Sequence, residues 1–374
     1  MKKILFLGNT AWSMYNFRCE VFSALLQRGY QVVVCAPPND VFSQKIQELG
    51  CEFHAVKLSA KGVNPLEDIL LIFKLWLLFL HLKPSLAFFY TIKPNIYGSI
   101  AAFLARVPAI AITTGLGYTF LHKNLISWIS QRLYKFAFFF PKEVWFLNQD
   151  DLNTFLQARL VSPVKAKLLK SEGINLEQFA PGDTFDSTPM PPSFLLSARL
   201  LWDKGIGEFV KAAEILKKKY PDIRFALLGF LGIDNPNAIP EEQIQKWDRS
   251  GTIEYLGVTS NVHSIISQFS CVVLPSYREG VSRSLMEGAA MGKILIASDS
   301  AGCRDTVDDQ VSGFLCKAKD VDSLVDCMEK IINMTDGERR KMGMAGREKM
   351  KKEFDINYII KHYQTALEQH LNSR

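Results

Sequence analysis

CVVLPSYREGVSRSLMEGAAMG, residues 271–292, holds the pattern from which the fold can be read. It opens on an apolar run with no polar alternation, the mark of a strand covered on both faces. Ser282 then stands where a helix N-cap belongs, and Gly292 where that helix would end. The stretch is a strand, a loop and a helix, the repeating half of a parallel α/β sheet. Its only carboxylates are Glu279 and Glu287. Glu279 falls in the loop at the carboxyl end of the strand. Glu287 falls about one turn into the helix, where side chains lean back toward the N-terminus. Both can reach one crevice beside the free N–H groups of the helix start, which suit a phosphate. A carboxylate that tolerates a nearby phosphate is best used on neutral hydroxyls, such as a ribose diol. By spacing alone, two ordinary surface glutamates would be the simpler reading.

The same unit recurs along the chain. KKILFL precedes a helix on which Phe17, Val21, Phe22, Leu25 and Leu26 share a face and which Gly29 ends. QVVVCA, EFHAVKL, SLAFFY, AIAITTG and EVWFLN are further short apolar runs, and Pro94 sits near a helix start. Prolines 181, 189, 191 and 192 then make residues 175–193 a loop or linker. FLLSA, IRFALLG, TIEYLG, CVVLP, KILIAS and GFLC restart the rhythm beyond it. At 374 residues the chain is long enough for two cores. The expected class is α/β, with two Rossmann-like doubly wound parallel-sheet domains facing across a cleft. The domain boundaries expected are 1–175, a linker at 176–192, 193–354, and a last helix at 355–374 crossing back to the first domain.

Composition narrows the classes. Apolar residues make up 48% and charged residues 22%, which excludes disorder. The net charge of +6 suits an anionic small molecule or an acidic membrane surface and argues little for nucleic acid. Seven cysteines include no Cys-x-x-Cys pair and read as small buried hydrophobes in a reducing compartment. MKKILFLGNT carries two lysines, but its apolar run stops at Gly8, so it reads as a first strand, not a signal peptide. LEDILLIFKLWLLFLHL, residues 66–82, is interrupted by Lys74 and is too short to span a bilayer; a helix packed on a sheet is expected. KNLISWISQRLYKFAFFFPK, residues 123–142, mixes aromatic and basic side chains. It fits an interfacial helix against anionic lipid and a core helix equally. The basic run at 338–354 is expected to be a solvated helical face.

A second basic motif completes the picture. SARLLWDKGIGEF, residues 197–209, places Arg199 and Lys204 in a strand-to-helix loop with Gly205 and Gly207. Two cations on flexible backbone there match a diphosphate. No G-x-G-x-x-G follows the first strand, and no G-x-x-x-x-G-K-[ST] occurs, which disfavours a dehydrogenase and a kinase.

A loop Arg, a Lys five residues on, and Glu-x7-Glu after a later strand together resemble the family-4 retaining glycosyltransferases. YTIKPNIYGSIAA and TTGLGYTF in the first half are similar to bacterial members that extend undecaprenyl-diphosphate-linked saccharides. The resemblance runs over the whole chain and implies the GT-B fold, with an acceptor-binding first domain and a nucleotide-sugar-binding second one. It implies a donor that is a UDP-sugar, carrying N-acetylgalactosamine or another hexose, and a lipid-linked saccharide acceptor at the inner face of the cell membrane. It further implies no metal or other cofactor. Glu287 would hold the ribose, and Glu279 would contact the sugar near its reacting carbon. Arg199 and Lys204 would bind the diphosphate. Gly280, Val281 and Ser282 would help with sugar and phosphate, and Val258 would face the base. On the acceptor side stand Gly8, Asn9, Gly115 and Gly117. The first loop matches the family only in part, and the nearest counterpart of a family histidine is His122, best read as an ordinary loop residue. An epimerase of the same fold and a two-domain sugar-binding protein are the alternatives.

Overall fold

Residues 1–58, 65–116, 125–182, 192–232 and 235–371 are described in the computed structural model. The first sheet contains β1 (Lys3–Leu7), β2 (Gln31–Ala36), β3 (Glu52–Ala55), β4 (Leu86–Tyr90), β5 (Ala109–Thr113), β6 (Glu143–Phe146) and β7 (Ala166–Leu168). The helices among them are α1 (Ala11–Gln27), α2 (Asp40–Glu48), α3 (Pro65–Leu82), α4 (Ser99–Leu104), α5 (Leu125–Ala137) and α6 (Gln149–Gln157). A single π turn, Pro94–Gly98, leads into α4, so Pro94 does sit at a helix start. All the strands pair in parallel, in the order β3-β2-β1-β4-β5-β6-β7.

The second sheet contains β8 (Ser193–Ser197), β9 (Arg224–Leu228), β10 (Glu254–Tyr255), β11 (Cys271–Leu274), β12 (Ile294–Ser298) and β13 (Gly313–Cys316). Its helices are α7 (Ile206–Lys219), α8 (Glu241–Arg249), α9 (Val262–Ser267), α10 (Arg283–Ala290), α11 (Val321–Asn333) and α12 (Asp336–Lys349). The order is β10-β9-β8-β11-β12-β13, again parallel throughout. Both sheets are therefore doubly wound, with their direction of growth reversing beside the first strand. The last helix is α13 (Ile356–Leu371). The chain divides into two compact units, Met1–Gly173 with Ile356–Arg374, and Ile174–Asp355.

In the first unit, central strands such as β4 and β5 are buried along their whole length, because helices cover both faces. The buried stripe of α1 is Ala11, Met14, Arg18, Val21, Phe22 and Leu25. Phe17 and Leu26, expected on that stripe, lie at its margin, and an arginine takes the centre. Arg18 is tolerated there because its charge pairs with Glu172 and its guanidinium lies 3.7 Å from the centroid of the Tyr90 ring. The Tyr90 hydroxyl in turn lies 2.7 Å from that of Tyr363 on α13. Tyr363 also packs against Phe88 and Trp145, so α13 is fastened to β4 and β6 by aromatic contacts.

The structure differs from expectation at three further places. β7 was not evident, because AKL is short and only partly covered. α3 buries one apolar face, but a second apolar face stays exposed. The basic run at 338–354 is not simply solvated: Met342, Gly343 and Gly346 are buried, and Arg347 donates to the backbone carbonyls of Phe179 and Ala290. Two small residues one turn apart let α12 approach the backbone next to β12.

Gly343 touches the Gly292 carbonyl so closely that an added Cβ would collide with it. Glycine to alanine within a helix ordinarily stabilises by about 0.5–1 kcal/mol. Here overpacking should reverse the sign, so Gly343→Ala should lose about 1–3 kcal/mol in urea unfolding. A more stable variant would contradict this packing.

Candidate functional site

Reversal of the second sheet between β8 and β11 sets the loops after these strands side by side at the switch point, the place where doubly wound sheets take their ligands. Lys204 reaches that point from β8, at the end of a 3-10 turn, Trp202–Lys204. Gly205 follows with φ 73°, and a Cβ there would strike the Pro275 carbonyl. That contact is reinforced from the β11 side. The Tyr277 amide donates to the Asp203 carbonyl over 2.9 Å, and the Ser276 hydroxyl donates to the same oxygen over 3.2 Å. The two loops are thereby tied backbone to backbone. Lys204 and Glu279 meet between them, Nζ to Oε1 at 2.6 Å, with only 10% and 17% of their side chains exposed. A charge-assisted bond with little water around it is a strong positional restraint.

A third loop fixes the far side. The Glu279 amide donates to the Ala301 carbonyl over 2.9 Å and the Ser282 amide to that of Gly302 over 3.3 Å. Gly302 has φ 74°, and a Cβ on it would run into the carbonyls of Glu279 and Gly280. Ser298 and Ser300 both donate to the Ser276 carbonyl. Sequence reading missed this support; the signal for it was SAG, residues 300–302, at the carboxyl end of the strand KILIAS.

Ser282 is the N-cap of α10, its hydroxyl accepting from the Leu285 amide over 3.3 Å, and Gly292 follows the helix with φ 71°. Glu287 then projects from the first turns and pairs with Arg283, Nε to Oε1 at 3.0 Å. Arg283, four residues earlier on the same helix, was also missed, although an i,i+4 pair was legible. Burial raises the carboxyl pKa of Glu287, and the Arg283 charge and hydrogen bond oppose that rise.

Arg199 is exposed just beyond β8. Its strand end is packed against β9: Gly229 lies so close to the Ala198 carbonyl that no side chain fits. The Gly229 amide donates to the Gly257 carbonyl over 2.9 Å, and this places exposed Val258 on the next loop along the same edge. Arg199, Lys204, Val258, Glu279, Gly280, Val281, Ser282 and Glu287 thus all belong to the carboxyl edge of the second sheet. In the first unit, Gly8 and Asn9 follow β1, and Gly115, with φ 120°, follows β5. Gly117 and His122 lie outside the described residues. Among the described residues, no three His, Cys, Asp or Glu side chains gather as metal ligands would.

Chemically, the edge offers two cations and a capped helix start for an anion, and carboxylates for hydroxyls. The raised pKa of Glu287 gives a test of the charge balance. Its folded value lies above the unfolded value of about 4.3. The fold then favours the protonated carboxyl, so the group's stabilising contribution is full below about pH 4.3 and is lost as pH rises through the folded value. The melting temperature of Glu287→Gln relative to wild type should therefore climb over that window, while Arg283→Gln should fall relative to wild type. Parallel profiles for all three proteins would remove the account of this pair.

Residues 3–148 match the family model described as glycosyl transferase 4-like, and residues 185–349 match glycosyl transferases group 1. The chain is 29% identical to the N,N'-diacetylbacillosaminyl-diphospho-undecaprenol alpha-1,3-N-acetylgalactosaminyltransferase of Campylobacter jejuni, over 96% of this chain and 97% of that one. It is 24% identical to the UDP-Gal:alpha-D-GlcNAc-diphosphoundecaprenol alpha-1,3-galactosyltransferase of Escherichia coli, over 72% of each chain. Among solved structures, Anabaena Alr3699/HepE in complex with UDP-glucose superimposes with a TM-score of 0.82 at 18% identity, covering 99% of this chain and 100% of that one. Its fold, two Rossmann-like parallel-sheet domains, is the GT-B fold, and the chain belongs to the group 1, 4-like glycosyltransferases.

Proposed function

We propose that the protein transfers a hexose, N-acetylgalactosamine first among the candidates, from a UDP-sugar to a lipid-linked saccharide at the inner face of the cell membrane, with retention at the anomeric carbon. The observation that carries the reading is the Lys204–Glu279 pair, 2.6 Å long, at the switch point of the second sheet. It sets a phosphate-binding cation against a carboxylate suited to sugar hydroxyls. Both relatives act on diphospho-undecaprenol saccharides and form alpha-1,3 linkages, and one uses UDP-Gal. Common UDP-hexoses are alpha-linked, so an alpha product from such a donor means retention.

In this reading the donor diphosphate lies against Arg199 and Lys204 and the start of α10. Glu287 accepts hydrogen bonds from the ribose diol, and Val258 borders the base. Backbone N–H groups of Gly280, Val281 and Ser282 meet sugar and phosphate. Glu279 positions the sugar near its anomeric carbon. The bond from that carbon to the phosphate oxygen breaks, and its electron pair stays on the UDP. The acceptor hydroxyl bonds to the same carbon and gives its proton to the departing phosphate oxygen. Pre-placed cations stabilise charge where it develops, which is the most effective use of fixed charge in catalysis. The acceptor is assigned to the first unit, with Gly8, Asn9, Gly115 and Gly117 on its side.

The roles separate in a binding assay paired with a turnover assay. Hydrogen bonds to a charged group are worth about 1.5–3 kcal/mol, so Glu287→Ala should raise the dissociation constant for UDP by roughly tenfold or more. Glu279→Ala should not weaken UDP, since it frees Lys204, yet it should lower sugar transfer. Equal weakening of UDP by both variants would end this division of labour.

The cation clamp has its own test. Arg199→Ala and Lys204→Ala should each lower turnover by roughly tenfold or more, and Arg199→Lys should recover only part, because it loses the planar fork. With two cations on the diphosphate, EDTA should leave wild-type transfer intact. Activity lost in EDTA and restored by magnesium or manganese would overturn the clamp.

A further inference from the structure

α3 has two opposed apolar faces, and only one of them is used. Leu71, Leu75, Phe79 and Leu82 are buried, and the carboxylate of Asp68 on the same face is satisfied by Tyr97 and Lys93. On the opposite face Leu66, Ile69, Leu70, Phe73, Leu77 and Leu80 retain between 42% and 79% of their surface. Their spacing gathers them into one strip about 100° wide at 100° per residue. A helix that covers a soluble core presents polar residues on its outer face. Scattered exposed apolar residues need no explanation, but a contiguous strip of six marks an interaction surface.

The strip continues on neighbouring elements of the same unit. α3 packs on α4, whose Phe103 and Leu104 are exposed. The Phe103 ring lies 4.5 Å from that of Phe140, which also meets Phe136 and Phe139, both exposed. Cations border these residues. Lys74 flanks the strip on α3, Lys83 lies just beyond its end, and Lys135 and Lys142 are exposed beside the phenylalanines. Lys165 lies 5.5 Å over the Phe139 ring. Its ammonium pKa is lowered by burial and then by the nearby Lys142 charge, so two cations converge there. No helix among the described residues is long and apolar enough to cross a membrane.

We propose that the outer face of α3, together with Phe103, Leu104, Phe136 and Phe139, lies on an anionic lipid bilayer, with the apolar side chains dipping below the headgroups and the lysines meeting them. An apolar strip with a cationic border is the pattern of an in-plane contact, which binds by buried area and by charge together. The proposal deepens the reading of a lipid-linked acceptor and rests on it for its purpose; the surface itself is argued from exposure and charge. Sequence reading left residues 123–142 evenly between a lipid contact and a core helix; the proposal uses only the end of that stretch, from Lys135 to Lys142, and adds α3 and α4. Lys123 lies outside the described residues.

The test uses the full chain, sedimented with vesicles of phosphatidylcholine alone or with phosphatidylglycerol added. Wild type should pellet with the anionic vesicles, and less so at high salt. Leu70→Ser/Phe73→Ser/Leu77→Ser should reduce that partition at least tenfold, while melting temperature and UDP affinity stay at wild-type values. Those controls separate loss of the surface from loss of fold or donor site. If wild type ignores anionic vesicles, or the triple variant pellets as well as wild type, the surface assignment is wrong. It is also wrong if sedimentation velocity finds a wild-type dimer that the triple variant dissociates, because a second copy then covers the strip.

Discussion

Gly205 touches the backbone of Pro275 with no room for a side chain between them. Most of the candidate site is placed by that contact. It brings the loop after β8 against the loop after β11 at the point where the sheet changes direction. Once the two are in contact, the Asp203 carbonyl takes hydrogen bonds from Ser276 and Tyr277, and Lys204 meets Glu279 between the loops. Gly302 repeats the device on the other side, where its missing side chain admits the carbonyls of Glu279 and Gly280. The candidate edge is thus held by backbone packing at two glycines, and the charged side chains are set on a rigid frame.

That frame explains how two carboxylates can stand at a candidate site for an anion. Each has its own cation, Lys204 for Glu279 and Arg283 for Glu287. The pairs differ in reach. Arg283 is on the same helix as its partner and stays with it, whereas Lys204 belongs to another loop and can share its charge with an arriving diphosphate. In the proposed reaction, exchange of Lys204 between carboxylate and phosphate would couple donor binding to the placing of Glu279 beside the sugar.

Much of this was legible in the sequence, because hydrophobic runs, caps and glycines are local. The strand KILIAS, the N-cap Ser282 and the helix stop at Gly292 are fixed by neighbours within a few residues. What stayed hidden depends on distant packing. Arg18 looked unremarkable as a charge on α1, yet it is buried because Glu172, over 150 positions away, meets it. Gly343 and Arg347 read as part of a solvated run until Gly292 and Ala290 were brought against them. The outer face of α3 escaped for a different reason: a helix apolar on two sides has the composition of a buried one, and only the fold shows which side is covered.

Amide hydrogen exchange with and without UDP tests most directly whether the carboxyl edge of the second sheet is the donor site. The account predicts slower exchange at residues 199–205, at Gly280–Ser282 and in the first turn of α10, where backbone and bound diphosphate would meet. Unchanged exchange in those segments under saturating UDP, or protection confined to the first unit, would contradict it.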